Sequence, residues 1–177
     1  MEEKVNVWKS NLTNGLILGL VGIVYSLVMW FLDLSFNKVQ ALVFILVQLA
    51  MLFYLLKSYR DNFRHGQITY GQSVGAGTII FLYYGIIMAV FTYILYTVID
   101  TGLLDKQLAF MEEEYLKRGM PQAAVDASMS IQAKILKPAI MAPLGILSSV
   151  VGGVIYSLII SIFVRKEGNP LIDSPEN

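Results

Sequence analysis

The sequence predicts an all-α membrane protein with four transmembrane helices and a helical hairpin outside the membrane between the third and the fourth. Hydrophobic residues make up 56% of the 177 residues and charged residues only 15%, whereas charged residues are about a quarter of an ordinary soluble domain. The charged residues are also gathered into a few segments, which separate long uncharged stretches. Helices that are apolar on every face would need a much larger polar shell in a soluble protein of this length. A single membrane domain, with the lipid bilayer as its main partner, is therefore the better interpretation.

Four uncharged stretches are long enough to cross a membrane. They lie between Lys9 and Asp33, between Lys38 and Lys57, from Gly66 to Ile99, and between Lys137 and Arg165. Crossing a hydrocarbon core about 30 Å thick takes roughly 20 apolar helical residues. We therefore expect transmembrane helices at about 13–33, 39–57, 74–99 and 141–164. The first is longer than the roughly 7–15 apolar residues of a secretory signal and lacks a small-x-small cleavage pattern, so we interpret it as a retained span.

The connection between the third and fourth spans carries helical periodicity of its own. Leu104, Leu108, Met111, Tyr115 and Leu116 follow one helical face, and Val125, Met129, Gln132 and Leu136 follow another. Gly119 and Pro121 separate the two segments, and Pro138 ends the second. We therefore predict an outer helical hairpin at about 102–137. It could cover the ends of the spans, capture a ligand, or dock a protein partner or a second copy of the chain. Residues 167–177 are predicted to be a flexible tail.

Three consecutive acids in this connection, Glu112 to Glu114, raise the question of a cation site. Consecutive helical positions are about 100° apart, so the three carboxylates fan over about 200° and do not converge on one ion. A solvated helix face is the better interpretation, and no metal site is predicted.

A glycine-rich run, "GQITYGQSVGAG" at residues 66–77, could cradle a phosphate or allow close helix packing. A phosphate loop needs a preceding strand and a lysine after the last glycine, and neither is present. Gly71 and Gly75 lie four residues apart and share a helix face. We therefore predict that another helix backbone approaches at these two glycines.

Small residues also form stripes in the first and fourth spans. Gly145, Ser149, Gly153, Ser157 and Ser161 recur every four residues in span four, and span one carries Gly15, Gly19, Gly22 and Ser26. In lipid, close backbone contact through such faces is a main source of helix association. We expect span one to pack on span four, with a seam between two copies of the chain as the alternative.

Few polar groups lie inside the spans, and none of them is ionisable. Gln48 lies near the centre of span two and is expected to hydrogen-bond a neighbouring helix. Tyr93 and Tyr96, like Trp8 and Trp30, are expected in the interfacial belts of the membrane, with a tyrosine-lined cavity as the alternative.

The composition also bears on chemistry. The chain has no cysteine, a single histidine, His65, and a net charge of +0. His65 follows Arg64 in a basic loop and has no nucleophile or acid beside it in sequence, so we predict no enzyme, no cofactor and no nucleic-acid partner.

Basic residues predict the orientation. The connection between spans two and three carries Lys57, Arg60 and Arg64, and span four ends directly in Arg165 and Lys166. The positive-inside tendency places these segments in the cytoplasm, so both termini are expected inside and residues 100–137 outside. Six Lys or Arg residues lie on the opposite side, but five of them are in the long connection, where the rule has less weight.

The segment "ITYGQSVGAG", preceded by "YRDNFRHG", resembles the motif of the family called domain of unknown function 4199. The layout is similar as well: two spans, a basic loop, a third span, a helical connection containing "YLKRGM", and a fourth span that ends in basic residues. The resemblance implies a four-helix protein of the bacterial inner membrane and implies no activity. We therefore expect a non-enzymatic structural or interaction role. A subunit of a small-solute transporter or channel, using Gln48 and the hydroxyls of span three, is the alternative.

Overall fold

The structure is a computed structural model, which describes residues 6–167. The helices are α1 (Val7–Phe31), α2 (Lys38–Phe63), α3 (Tyr70–Ile94) with a π-helical turn that continues it (Leu95–Ile99), α4 (Leu103–Lys117), α5 (Gln122–Ile135) and α6 (Pro138–Val164). α1, α2, α3 with its π-helical turn, and α6 are long and apolar enough to cross a membrane. The predicted all-α class with four spans is therefore confirmed. Apart from Glu167, the predicted tail lies outside the described residues.

The helices are longer than the predicted spans, and side-chain caps rather than charges mark several of their starts. Asn6 accepts hydrogen bonds from the backbone amides of Trp8 and Lys9, so α1 begins before Lys9. Thr69 and Gln72 form a reciprocal capping box at the start of α3, which satisfies amides that a helix leaves unpaired. α2 continues past Lys57 to Phe63, so part of the basic loop expected after span two is helical.

α3 is the central helix of the bundle. α1 packs on one face of α3, and α6 packs on another. The expected packing of span one on span four is therefore wrong for this chain. The glycines of α1 and α6 accommodate bulky side chains, and α3 supplies these in Tyr83, Ile87 and Phe81.

One end of the bundle, which we call the termini end, holds the start of α1, the α2–α3 loop and the end of α6. Ile68 in that loop pairs with Lys166 through two backbone hydrogen bonds of 2.8 and 3.0 Å. Arg60 Nη1 donates to the carbonyl oxygen of Val164 at 3.0 Å, where α6 ends. These bonds join the α2–α3 loop to the end of α6.

The opposite end, which we call the hairpin end, holds the α1–α2 loop together with α4 and α5. α4 and α5 pack against each other, with a turn at Gly119, whose φ is +75°. That this helix pair lies outside the membrane stays a prediction.

The larger of two buried clusters includes residues of all four long helices. Its members are Leu18, Leu52, Leu55, Leu56, Tyr59, Ile68, Ala76, Ile80, Phe81, Tyr84 and Val164. The other cluster, Phe91, Leu95 and Leu103, lies near the hairpin end. Fewer buried side chains therefore pack together near the hairpin end than in the rest of the bundle. A cavity lies at that end.

Candidate functional site

The candidate functional site is a cavity of about 370 Å³ near the hairpin end. It lies between α1, α2 and α3, and the first residue of α4 closes part of it. Its walls are formed by Tyr25, Ser26, Met29, Ser35, Phe36, Gln40, Ala41, Phe44, Ile45, Phe91, Thr92, Leu95, Tyr96 and Leu103. None of these residues carries a charge, whereas hydroxyl and amide groups occur on each of the three long helices around it. Ligand sites are commonly apolar hollows with a few polar groups of this kind.

Tyr25 holds the wall between α1 and α2. Its hydroxyl donates to the carbonyl oxygen of Gln40 at 2.7 Å, and its ring stacks on Phe44 with centroids 4.5 Å apart. Gln40 Nε2 in turn donates to the carbonyl oxygen of Ser35 at 3.1 Å. The first turn of α2 is therefore tied to α1 and to the loop between them.

Tyr96 links the cavity to α4. Its hydroxyl donates to Gln107 Oε1 at 2.7 Å, and Leu103, at the start of α4, is only 3% exposed. The sequence favoured an interfacial position for Tyr96 over a tyrosine-lined cavity, and the structure places it in the cavity wall together with Tyr25. Tyr93, by contrast, is exposed.

Three other hydroxyl groups in the cavity wall, those of Ser26, Thr92 and the loop residue Ser35, form no hydrogen bond within the described part of the chain. Elsewhere in these helices, Thr78 donates to the carbonyl of Val74 and Ser149 to that of Gly145. A polar group at membrane depth is costly unless it has a partner. The cavity therefore offers three hydroxyls that can bind whatever occupies it, of which those of Ser26 and Thr92 lie on the membrane helices.

One ion pair and two further hydrogen bonds, all to Asp100, attach the start of α4 to the bundle at the hairpin end. Asp100 Oδ2 accepts from Lys106 Nζ at 3.0 Å and from Trp30 Nε1 at 3.1 Å, and Asp100 Oδ1 accepts from the amide of Gly102 at 3.1 Å. The hydrogen bonds from Lys106 and Trp30 lower the pKa of the Asp100 carboxyl below its usual value of 3.8. The end of α3, the end of α1 and the start of α4 are thereby joined.

Farther along α4, Glu114 forms an ion pair with Lys38 at the start of α2. The hydrogen bond from Lys38 lowers the pKa of the Glu114 carboxyl. Phe110 stacks on Phe36 with centroids 5.8 Å apart. The neighbouring acid Glu113 pairs instead with Lys117, one helical turn away. The three consecutive acids thus have different surroundings, and no group of three or more potential metal ligands occurs among residues 6–167.

Most of the small-residue stripe of α6 faces α3. A Cβ atom added at Gly153 would lie less than 3.0 Å from Phe81 on α3. Cβ atoms added on α3 at Gly77 and Gly85 would likewise lie less than 3.0 Å from Ser157 and Ser149 of α6, respectively. Ser161 Oγ donates to Ser73 Oγ at 2.8 Å in a buried position. Gly145, at the hairpin end of the same stripe, faces open space.

The glycines of α1 pack against α3 as well. Added Cβ atoms at Gly15, Gly19 and Gly22 would lie less than 3.0 Å from Tyr83, Ile87 and Tyr84, respectively. Ser26, the last residue of this stripe, lies in the cavity wall.

The prediction for Gly71 and Gly75 is wrong within this chain, because both are exposed and an added Cβ atom at either would meet nothing within 4 Å. The glycine of this run that contacts another helix is Gly77. Gly77 lies two positions after Gly75, so it is turned about 200° around the helix from Gly75. Helical spacing identifies residues that share a face, but the sequence does not show which face is covered.

Six polar residues are buried within the four long helices: Asn11, Asn14, Gln48, Ser73, Ser157 and Ser161. Gln48 is 7% exposed on α2, and its side chain lies beside the hydroxyl of Tyr84 on α3. Ser157 Oγ is fully buried and has no hydrogen-bond partner in the part of the chain that the structure describes.

The only histidine does not contribute to any of these groups. His65 is exposed in the α2–α3 loop, with a left-handed φ of +52°.

Sequence reasoning missed the parts of the cavity wall that come from α1 and α2, above all Tyr25 and Gln40. It also missed the attachment of α4 through Asp100. A signal was present in the position of Trp30 and Asp100, each at the hairpin end of a predicted span, but spacing alone does not show that these two ends meet.

Comparison with known proteins identifies one family. The family model described as "Protein of unknown function (DUF4199)" matches residues 13–166, which is most of the chain. Neither the comparison with curated proteins nor the comparison with solved structures found a match. The match spans the four long helices and includes the motif on which the resemblance was based, so the chain belongs to the DUF4199 family of proteins of unknown function.

Proposed function

We propose that this chain is a non-enzymatic protein of the bacterial inner membrane that binds a protein partner through α5. The observation that supports this proposal is an apolar face of α5 without a covering element in the described chain. Ala124, Ala127, Ile131 and Ile135, which we call the α5 apolar face, recur at helical spacing and are all exposed. Val125 on the opposite side is buried. α5 is thus anchored by one face and presents another.

The composition of α5 favours a protein partner over the membrane surface. Helices that lie in the interface usually carry several Lys or Arg residues on the polar face and bulky aromatic residues on the other. Between Gln122 and Ile135, α5 has one basic residue, Lys134, one acid, Asp126, and no aromatic residue. Its small alanines suit close approach of another helix.

The proposal includes an orientation with both termini in the cytoplasm. Lys57, Arg60, Arg64, Arg165 and Lys166 all lie at the termini end of the bundle. The positive-inside tendency applies most strongly to residues near span ends. α4 and α5 then lie on the outer side of the membrane.

Photo-crosslinking in intact cells tests the interaction. A photoreactive amino acid at Ile131 is expected to form a discrete protein adduct, which mass spectrometry identifies. The same probe at Asp126, an exposed position about 140° around α5, serves as the matched control. Ala127→Glu should remove the adduct at Ile131, because a charge on the α5 apolar face opposes burial. Adducts to lipid alone, or equal adducts at Ile131 and Asp126, would contradict the proposal.

A second candidate function is that of a subunit of a small-solute transporter or channel. The uncharged polar cavity and the unpaired hydroxyl of Thr92 favour it, because a neutral solute needs hydrogen-bonding groups without fixed charge. Solute flux into liposomes containing the purified protein is the measurement. Flux that Thr92→Val reduces would support this function over the first.

A further inference from the structure

We propose that the cavity near the hairpin end binds an uncharged, lipid-derived amphiphile, of the monoacylglycerol type, with a hydroxyl- and carbonyl-bearing head and a hydrocarbon tail. The proposal is independent of the partner of α5.

The absence of charge in the cavity wall determines the class of head group. An ionised head group buried there would lack a counter-charge, and isolated charges in an apolar setting are very costly. The charged residues nearest to the wall residues along the chain do not line the cavity: Asp100 and Lys38 are paired with Lys106 and Glu114, and Asp33 and Asp105 are exposed. A neutral head group is therefore the one that this wall accommodates.

The unpaired hydroxyls provide the polar contacts. Ser26 on α1 and Thr92 on α3 line the same cavity and form no hydrogen bond within residues 6–167. Each hydroxyl can donate one hydrogen bond and accept others. A head group with hydroxyl and carbonyl oxygens supplies both kinds of partner.

The remainder of the wall suits a hydrocarbon tail. Met29, Phe44, Ile45 and Phe91 line the cavity, and the exposed side chain of Ala41 lies where it reaches the surface of the bundle. Ser26 and Thr92 both lie within helices that qualify as membrane spans. A molecule dissolved in the bilayer can thus reach the cavity sideways from the lipid.

The size of the cavity agrees with this occupant. Its volume of about 370 Å³ lies in the lower part of the roughly 300–1,000 Å³ range of ligand sites. It holds a compact head and the first methylene groups, while the rest of the tail stays in the bilayer. Two-chain lipids with large charged head groups do not fit this description.

The test uses the full-length protein in lipid nanodiscs and a monooleoylglycerol that carries a diazirine near its head group. We expect labelling of peptides from α1 and α3 around Ser26 and Thr92, and competition by unlabelled monooleoylglycerol. Thr92→Val, which replaces the hydroxyl with a methyl group of similar size, should weaken apparent binding about three- to tenfold, the effect of one hydrogen bond. The control is Thr78→Val on the same helix, because Thr78 already donates to Val74 and lies outside the cavity.

Two comparisons can overturn the proposal. Oleoyl lysophosphatidic acid with the same diazirine adds a charged phosphate to the same chain, and it should label these peptides weakly. Equal labelling by the two probes would show that the site does not select neutral heads. Equal binding by the wild type and Thr92→Val, with unchanged thermal stability, would show that the cavity is not the site.

Discussion

At the scale of single residues, the bundle is built from glycines that face bulky side chains. Gly153 packs on Phe81, Gly15 on Tyr83 and Gly19 on Ile87. Lipid provides no hydrophobic force between helices, so dense contacts of this kind supply much of the association. Each glycine matters through the partner that fills the space beside it.

Replacing Gly153 with leucine should destabilise the fold more than replacing Ile155 with leucine. A side chain at residue 153 collides with Phe81, and overpacking of this kind costs roughly 1–3 kcal/mol. Ile155 is 51% exposed, so a change in side-chain branching there meets little resistance. Thermal unfolding in detergent is the measurement. Equal stability of the two variants would contradict the contact between Gly153 and Phe81.

Two glycines of the 66–77 run should respond in opposite directions to alanine. Gly75→Ala adds a methyl group in open space and should stabilise the helix by roughly 0.5–1 kcal/mol. Gly77→Ala places a methyl group against Ser157 and should destabilise the fold. Unfolding of both variants in detergent checks the sign. A destabilising Gly75→Ala would indicate a contact with a second chain at this face.

At the scale of elements, α4 is held to the bundle by a face other than the apolar face that predicted the helix. On this face, Leu103 lines the cavity and Gln107 accepts a hydrogen bond from Tyr96. Phe110 stacks on Phe36, and Glu114 pairs with Lys38. The predicted apolar face at Leu104, Leu108, Met111 and Tyr115 is half-buried, and Leu116 is exposed. Polar and aromatic side chains carry the attachment, so apolar periodicity alone did not identify it.

Acid should loosen the attachment of α4. The pKa of Asp100 in the folded protein lies below 3.8, since Lys106 and Trp30 stabilise the ionised carboxylate. Its stabilising effect is therefore fully present above pH 3.8 and is lost as the pH falls through the lower folded pKa. In a Trp8→Phe background, the fluorescence of Trp30 should report this transition.

Asp100→Asn is the control, because asparagine cannot ionise. The acid transition of Trp30 fluorescence should disappear in this variant. If the variant shows the same acid transition as the protein that retains Asp100, another group titrates. Glu114 is then the first to examine, because its pKa is also lowered.

At the scale of the whole molecule, the exposed surface matches a bilayer. Leu20, Leu46 and Leu147 are more than 60% exposed, although each lies in a helix long and apolar enough to cross a membrane. Lipid chains can cover such side chains without a free-energy cost, whereas their exposure to water is unfavourable. The polar ends of the bundle then lie on opposite sides of the membrane.

Cysteine labelling tests the orientation. The natural chain has no cysteine, and both Lys57 and Glu113 are exposed. An impermeant thiol reagent applied to cells with a permeabilised outer membrane should label Glu113→Cys and leave Lys57→Cys unlabelled, because the basic termini end is expected in the cytoplasm. The reverse pattern would invert the orientation, and disruption of the inner membrane should make both positions reactive.

The sequence by itself determined the all-α class, the presence of four spans and the family. These depend on local properties, namely uncharged stretches of sufficient length and a motif read along the chain. The hairpin helices were also detectable, because Gly119 and the prolines interrupt a periodic pattern.

Only the tertiary structure decided which faces meet. Small residues recur on several faces, and spacing did not distinguish Gly77, which contacts α6, from Gly75, which faces open space. The central position of α3, the pairing of Asp100 with Trp30 and the cavity between Tyr25, Thr92 and Tyr96 depend on residues far apart in the chain. In a membrane nearly every helix face is apolar, so hydrophobic pattern separates buried from lipid-facing sides poorly, and three-dimensional packing makes that distinction.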